Sequence, residues 1–171
     1  NSTYIGTKNG GILIDAGASM RALCAALEAA GGGYEEIKAV AVTHEHIDHI
    51  KGLRPFLNKT NAKLIASRET LETLAKYDKI PEKTEVLEIG DKPIVINEIE
   101  INRFATSHDC NGSSGYFFYL PDGKKVSVCT DLGVVTDEVR AALKGSDTLL
   151  IESNHDIEML KRGPYPPMLK M

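Results

Sequence analysis

Short apolar runs alternate with segments of helical periodicity along the first half of the chain. The first two runs are separated by Asn9-Gly10-Gly11, a glycine turn typical of a β-hairpin. Strands are predicted at residues 3–7, 12–14, 37–42, 63–66 and 85–89. Helices are predicted at residues 20–30, 47–57 and 68–76. This alternation predicts a sheet with helices packed against its face.

Strand patterns dominate the second half of the chain. Pro121-Asp122-Gly123 interrupts the apolar run 115–129 with turn residues, which predicts a second hairpin. The aromatic residues 116–119 are expected to alternate along a strand, so that half of them enter the core. Strands are also predicted within residues 94–104 and, as a buried strand, at 148–152, and helices at 137–143 and 157–162. Without a linker-like segment, residues 1–171 are expected to form a single α/β domain of mixed sheets with helices outside.

Composition and charge narrow the class of protein. Hydrophobic residues make up 42% and charged residues 26% of the chain, a balance that excludes a disordered or fibrous protein. The formal net charge of −4 disfavours a protein that wraps nucleic acid by charge alone. Two bound divalent cations would neutralise that charge and concentrate positive charge in one cleft, so a phosphate substrate stays compatible with the composition.

Targeting signals and cysteine usage indicate the compartment. No apolar stretch approaches the roughly 18 residues of a membrane span, and residues 1–11 lack the basic and apolar regions of a signal peptide. Cys24, Cys110 and Cys129 are odd in number and form no C-x-x-C pair, which suits a reducing compartment. We therefore expect a cytoplasmic protein that does not associate with a membrane.

Three of the five histidines fall within residues 44–49 (HEHIDH), which run from the end of a predicted strand into the start of a predicted helix. Alternate side chains at an extended strand end point the same way, so His44 and His46 offer two imidazoles to one metal ion. Asp48 and His49, in the following helical turn, are displaced toward a second ion. The alternative is a solvated loop in which Asp48 caps the helix, but that leaves three histidines without a role.

Two further polar residues follow predicted strands. His108 follows the run 94–104, and Asp131 follows the run 115–129. Taken alone, His108 would be an ordinary surface histidine and Asp131 a helix N-cap. A carboxylate at the end of an apolar strand otherwise needs a cation to bind.

Together these residues resemble the metallo-β-lactamase fold superfamily. The resemblance rests on residues 44–49 after a strand, on Ser107-His108, on Thr130-Asp131 and on the early residues 14–17 (IDAG). It implies a four-layer αββα sandwich with mixed sheets. It implies a first metal ion bound by His44, His46 and His108. It also implies a second ion bound by Asp48 and His49, with Asp131 bridging both ions.

A narrower resemblance is to the YycJ/WalJ family of DNA exonucleases. It rests on residues 152–156 (ESNHD), on Met159-Leu160 and on residues 163–166 (GPYP). Members of that family continue to a Gly-His-Leu segment whose histidine completes the second metal site, and they begin with an earlier strand and a Ser/Gly-rich turn. We therefore expect a sandwich that is incomplete at both ends. The second site is expected to be weak, open or completed by His155.

The resemblance implies a metal-dependent phosphodiesterase or exonuclease that acts on DNA. Two divalent ions, zinc or manganese with iron as a further option, would generate a bridging hydroxide as the nucleophile, with Asp48 part of the catalytic centre. His155 is the candidate proton donor to the leaving group and Glu152 its orienting partner; the alternative is a packed His155 that bonds to Asp156 or to a ligand. Supporting hydrogen bonds are expected from Asp15, Asn154 and Asp156, although Asp15 could instead form a structural turn.

Two other functions stay open from the sequence. One is a different hydrolase on the same fold, acting on a small cyclic phosphodiester, a thioester or a lactam, because fold and metal site do not choose the substrate. The other is a truncated metal-binding domain without activity. A duplex groove would need basic residues aligned on the metal face, and those of this chain are expected to be ordinary solvated charges. They include Lys51, Arg54, Lys59, Lys63, Lys124 and Lys125.

Overall fold

Two five-stranded sheets lie at the centre of the computed structural model, which describes residues 1–152, 158 and 162–164. The first sheet consists, in spatial order, of β1 (Thr3–Thr7), β2 (Gly10–Ile14), β3 (Ile37–Ala41), β4 (Lys63–Ala66) and β5 (Val86–Glu88). β1 and β2 form an antiparallel hairpin, and the other neighbours are parallel. The predicted opening hairpin is confirmed.

The second sheet is mainly antiparallel. It consists of β6 (Ile94–Ile96), β7 (Ile99–Ala105), β8 (Ser114–Tyr119), β9 (Lys125–Cys129) and β10 (Thr148–Ile151). Their spatial order is β10-β9-β8-β7-β6, and β10 runs parallel to β9. Asn97 and Glu98, both at positive φ (47° and 66°), form the tight turn between β6 and β7.

Helices cover the outer face of each sheet. They are α1 (Met20–Ala29), α2 (Ile47–Ile50), α3 (Leu53–Lys59), α4 (Arg68–Lys76) and α5 (Asp137–Leu143). Ser19, Ser67 and Thr136 cap α1, α4 and α5, since each side-chain oxygen accepts a hydrogen bond from the backbone three residues further on. α1 to α4 pack against the first sheet, whereas Val139 packs α5 against the second.

Successive side chains of each strand point to opposite faces of its sheet, and this alternation separates the core between the sheets from the core under the helices. Ile12 and Ile14 of β2 enter the core between the two sheets, and Leu13 enters the core under the helices. Tyr116 and Phe118 of β8 are fully buried between the sheets, and the aromatic residues next to them lie on the other face, as predicted. The resulting order of layers is helix, sheet, sheet, helix. The predicted αββα class is confirmed.

The predicted helix 47–57 is divided into α2 and α3 at Gly52. The backbone N–H of Gly52 donates to the carbonyl oxygen of Ala16 (2.7 Å) on the neighbouring loop, away from the helix axis. A Cβ at this position would contact the carbonyl oxygens of Ala18 and Ala16, so the close approach requires glycine. Periodicity alone did not reveal this break because Gly52 keeps helical dihedral angles.

β10 is a strand as predicted, but the prediction that it is buried is wrong. Leu149, Leu150 and Ile151 are 44%, 44% and 39% exposed. Within the described part of the chain, β10 is the edge of the second sheet, and pairing with β9 supplies hydrogen bonds without covering its side chains. Of the predicted helix 157–162, only residues 158 and 162 are described. That residues 1–171 form a single domain stays a prediction.

No helix among the described residues is long and apolar enough to cross a membrane.

Candidate metal centre

The histidine-rich residues lie at the carboxyl ends of β2 and β3, where α/β proteins commonly place their sites. The segment that connects β3 to α2 carries His44 and His46, and the first turn of α2 carries Asp48 and His49. Asp15 directly follows β2. The sequence order strand, polar segment and helix therefore brings these side chains to one edge of the first sheet.

His44, His46 and His108 bring three imidazole nitrogens together. His44 Nε2 lies 3.2 Å from His46 Nδ1, which lies 3.1 Å from His108 Nε2. Two ligands of one tetrahedral zinc ion are about 3.3 Å apart when each bond is about 2.0 Å long. The three nitrogens therefore have the spacing of ligands around one ion. His44 is buried, whereas His46 and His108 are partly exposed, so the group opens toward solvent.

A second group adjoins the first. His49 Nε2 lies 3.0 Å from Asp131 Oδ2 and 3.4 Å from Asp48 Oδ2. Ligand atoms of His44, His49 and Asp131 also lie within 4.8 Å of one another. The ring centroids of His44 and His49 are 4.0 Å apart, so the two groups are in contact. His108 and Asp131 follow β7 and β9, and therefore both sheets contribute to the centre.

Asp15 and Thr43 hold the histidines from behind. Asp15 Oδ1 accepts the backbone N–H of Thr43, and its Oδ2 accepts the Thr43 hydroxyl, both at 2.8 Å. Asp15 Oδ2 also lies 2.8 Å from Nδ1 of His49, and Thr43 Oγ1 lies 3.0 Å from Nδ1 of His44. A carboxylate that accepts Nδ1–H leaves the Nε2 lone pair of His49 free for a metal.

The charges at the second group favour a cation. Burial would lower the pKa of His49, but the carboxylates of Asp15, Asp131 and Asp48 outweigh burial and raise that pKa. Burial, together with the neighbouring imidazoles, lowers the pKa of His44 to about 3. A neutral imidazole is the form that binds a metal ion, and the carboxylates around His49 supply negative charge that attracts a cation.

Two of the carboxylates sit on unusual backbone. Asp15 and Asp131 have φ of 60° and 52°, in the left-handed region that aspartate tolerates better than most residues. One follows β2 of the first sheet and the other follows β9 of the second. Such conformations concentrate at functional sites because the surrounding structure has to hold them.

The structure places the predicted site residues as follows. The six side chains that were named as metal ligands lie together: His44, His46, Asp48, His49, His108 and Asp131. Asp15 lies behind them. Glu152 directly follows β10 and lines a cavity of about 280 Å³ together with Asp15 and Thr130. Asn154, His155 and Asp156 lie outside the described residues, and their roles stay predictions.

Sequence reasoning missed three residues of the centre. Thr43 bonds to Asp15 and both buried histidines, and Asp109 Oδ1 lies 3.2 Å from His108 Nε2. Each directly neighbours a histidine in the sequence, which is a signal that could have found it. Asn1 Nδ2 lies 2.9 Å from Asp48 Oδ2, although 47 positions separate the two residues. That separation left no local signal for Asn1.

An αββα sandwich with imidazoles and carboxylates gathered where its two sheets meet defines a protein of the metallo-β-lactamase fold. This fold implies divalent metal ions, and the His and Asp side chains fit them in donor type and spacing. The chain belongs to the beta-lactamase superfamily, since the family model described as "Beta-lactamase superfamily domain" matches residues 11–167. The resemblance that the motifs indicated is confirmed.

Two curated proteins are similar to nearly the whole chain. "Exodeoxyribonuclease YycJ" of Bacillus anthracis is 34% identical over 172 residues, which cover 99% of this chain and 64% of the relative. "Exodeoxyribonuclease WalJ" of Streptococcus pneumoniae serotype 2 (strain D39 / NCTC 7466) is 33% identical over 174 residues, with the same two shares. The chain therefore spans slightly less than two thirds of the length of these relatives. The resemblance to the YycJ/WalJ family is confirmed.

Solved structures share the fold. Zn²⁺-bound PqqB from Methylobacterium extorquens superposes with a TM-score of 0.80 at 18% identity, covering 96% of this chain and 64% of that one. The metallo-beta-lactamase GOB-18 from Elizabethkingia meningoseptica superposes with a TM-score of 0.69 at 20% identity, covering 99% and 78%. At these identities the likeness shows the fold alone.

Proposed function

We propose that the chain carries the active site of a metal-dependent exodeoxyribonuclease, a hydrolase that cleaves phosphodiester bonds of DNA. The observation that carries the proposal is the pair of adjoining ligand groups, one with three imidazoles and one in which His49 meets the carboxylates of Asp48 and Asp131, with His44 next to both. Paired metal ions suit phosphodiester cleavage because they stabilise both the attacking and the leaving oxygen. The similarity to exodeoxyribonucleases supports DNA as the substrate.

The donor atoms suit two divalent ions, zinc or manganese, with iron as a further option. Imidazole is a good ligand for zinc and iron, and carboxylates extend the range to manganese. When bound, such a pair supplies Lewis acidity and a water of lowered pKa. We propose that His44, His46 and His108 hold the first ion. We propose that Asp48, His49 and Asp131 hold the second, with Asp131 shared between them.

The residues behind the ligands prepare them for this role. Asp15 orients His49 by accepting Nδ1–H, and the Thr43 hydroxyl fixes the position of Asp15. Because these bonds exist in the protein itself, the ligands need little rearrangement when an ion arrives. The partly exposed side of His46 and His108 is where a substrate phosphate can approach.

The leaving oxygen of the phosphodiester needs a proton. We propose that His155 donates it, with Glu152 orienting His155 and with Asn154 and Asp156 supporting the segment by hydrogen bonds. The position of Glu152 supports this assignment, because it shares a cavity wall with Asp15. Asp48 completes the catalytic centre as a ligand of the second ion.

Three of the basic residues singled out in the sequence are engaged in contacts within the protein and provide no separate support for DNA. Arg54 Nη1 pairs with Asp78 Oδ1 (2.6 Å), and Lys63 Nζ pairs with Glu85 Oε1 (2.7 Å). Lys125 is buried and donates to two carbonyl groups at the C-terminal end of α5. The substrate assignment therefore rests on the relatives and on the metal centre.

We also propose that the protein works in the cytoplasm. Cys24, Cys110 and Cys129 are free thiols, as is usual for proteins in a reducing compartment.

The test combines metal analysis with a cleavage assay. The full chain, purified without chelator, is expected to contain about two metal ions and to shorten end-labelled linear DNA in the presence of Mn²⁺ or Zn²⁺. His46→Ala is expected to lose at least one ion and the cleavage. Lys76→Ala, on the exposed end of α4, serves as the control and retains both.

Two results would contradict the proposal. One is metal-dependent cleavage that survives in His46→Ala. The other is a chain that binds two ions but hydrolyses a lactam or a cyclic phosphodiester and leaves linear DNA intact, which would indicate a different hydrolase on this fold.

A further inference from the structure

The side-chain amide of Asn1 lies against the second ligand group. Its Nδ2 is 2.9 Å from Asp48 Oδ2 and 2.9 Å from His49 Nε2. Both are atoms that the proposed second ion would bind. Asn1 is therefore in direct contact with this ligand group, although neither the motif nor the resemblance includes it.

The backbone of Asn1 is held as firmly as its amide. Its nitrogen donates to the carbonyl oxygen of Asp48 (2.7 Å), and its carbonyl oxygen accepts the N–H of Gly17 (2.8 Å). A Cβ on Gly17 would collide with the carbonyl oxygens of both Asp48 and Asn1. The glycine therefore permits a close approach of three chain segments, and that approach fixes the amide at the ligand group.

The side-chain N–H groups of Asn1 face acceptor atoms that a metal ion would otherwise bind. Asp15 accepts Nδ1–H of His49, so the Nε2 lone pair points outward, toward Asp131 and Asp48. Facing lone pairs and carboxylates need a donor or a cation between them. The amide has two N–H bonds, which can point to His49 Nε2 and to Asp48 Oδ2. In the metal-free centre the amide thus makes contacts that a bound ion would replace.

We propose that Asn1 is a ligand of the second metal ion through its side-chain oxygen. A half-turn about the Cβ–Cγ bond exchanges Oδ1 and Nδ2, so the oxygen takes the position beside Asp48 and His49 once an ion supplies the positive charge. The distances of 2.9 Å are close to the roughly 3.3 Å between two ligands of one ion. The inference rests on the proposed function, because it assumes that Asp48, His49 and Asp131 hold an ion.

An amide oxygen makes the second site different from the first. The first group offers three imidazole nitrogens, whereas the second would offer one imidazole with the oxygens of Asp48, Asp131 and Asn1. Oxygen ligands favour harder ions, so the second site is expected to accept Mn²⁺ better than the first does.

The test measures metal affinity in variants of Asn1 in the full chain. Zn²⁺ and Mn²⁺ are titrated by calorimetry, and the Mn²⁺ complexes are followed by electron paramagnetic resonance, so no readout depends on activity. In Asn1→Ala the second ion is expected to bind on the order of 10–100-fold more weakly, with the first ion unchanged. Asn1→Asp, which keeps an oxygen at the same place, is expected to restore the affinity.

Ser2→Ala is the matched control. The Ser2 hydroxyl accepts the N–H of Gly17 (3.1 Å) and donates to the backbone carbonyl oxygen of Asn1, so it belongs to the same segment, and neither bond reaches a ligand atom of the metal centre. It is expected to bind both ions as the parent chain does.

The possible failures are distinguishable. A parent chain that takes up no second ion overturns both the proposed function and this inference. A parent that takes up two ions, with an Asn1→Ala variant that binds the second equally well or more tightly, overturns only the inference; tighter binding would make the amide a competitor of the ion.

Discussion

Replacing Asp15 with asparagine is expected to weaken metal binding at the second site without unfolding the protein. Asp15 accepts the Thr43 N–H on Oδ1, and it accepts the Thr43 hydroxyl and His49 Nδ1–H on Oδ2, each at 2.8 Å. Asparagine has the same shape, and its oxygen stays with the backbone N–H. Its NH₂ group then replaces Oδ2 and faces Nδ1 of His49. The imidazole has to carry its proton on Nε2, the nitrogen that faces Asp131.

The size of the effect follows from this change of tautomer. A proton on Nε2 occupies the lone pair that would bind the ion. Loss of the partner behind a metal-binding histidine costs about 10–100-fold in metal affinity, or about 1.4–2.7 kcal/mol. The first ion is expected to be less affected, because its proposed ligands His46 and His108 make no hydrogen bond with Asp15 in the structure and His44 is linked to Asp15 only through the Thr43 hydroxyl. Without metal, losing the charged hydrogen bond is expected to lower the free energy of unfolding by about 1–3 kcal/mol.

Isothermal titration calorimetry with Zn²⁺ and with Mn²⁺ measures both affinities in the Asp15→Asn variant and the parent chain. Thermal unfolding in chelator checks that the variant folds. Asp78→Asn is the control, because Asp78 is an exposed aspartate that also has a positive φ (53°), far in sequence from the centre. An Asp15→Asn variant that folds and binds the second ion as tightly as the parent would refute the reasoning.

Three further outcomes are expected. Lowering the pH should weaken metal binding at the second site, since the raised pKa of His49 lets protons compete with an ion there at higher pH; calorimetry over a pH series would contradict this if the affinity for the second ion did not change. Tyr116→Phe removes a hydroxyl that donates to a buried carbonyl (2.7 Å), so urea unfolding should show a loss of about 1–3 kcal/mol, and an unchanged stability would argue against that bond. Burial raises the pKa of Cys129 to about 11, so mass spectrometry should find its alkylation slower than that of Cys24, and equal rates would contradict the buried position.

The proximity of the candidate ligands could be predicted because it follows from their positions relative to strand ends. Residues 44–49 place four of the candidate ligand side chains at the junction of a strand and a helix, and His108 and Asp131 come shortly after strands of the second sheet. Alternating apolar residues predicted the strands, and turn residues such as those at 121–123 predicted the hairpins. Strand ends gather at one edge of a sheet, so sequence position translated directly into proximity.

The features that were not predicted depend on contacts between distant segments. The apolar run of β10 has the pattern of a buried strand, but its exposure depends on what packs beside the sheet edge. The break at Gly52 depends on the carbonyl of Ala16, and the contact of Asn1 with Asp48 joins residues 47 positions apart. Periodicity describes each segment separately and therefore contains no information about these contacts.

The division of the proposed ligands between the two sheets has a consequence for stability. Residues 44–49 belong to the first sheet and its helices, whereas His108 and Asp131 belong to the second. An ion bound by both sets is a cross-link between layers that otherwise meet mainly through apolar side chains and a few hydrogen bonds such as that of Tyr116. At a free concentration of 100 times its Kd, such an ion adds about 2.7 kcal/mol to the free energy of unfolding. A chelator would then lower the free energy of unfolding by that amount, because it removes the link between the two sheets.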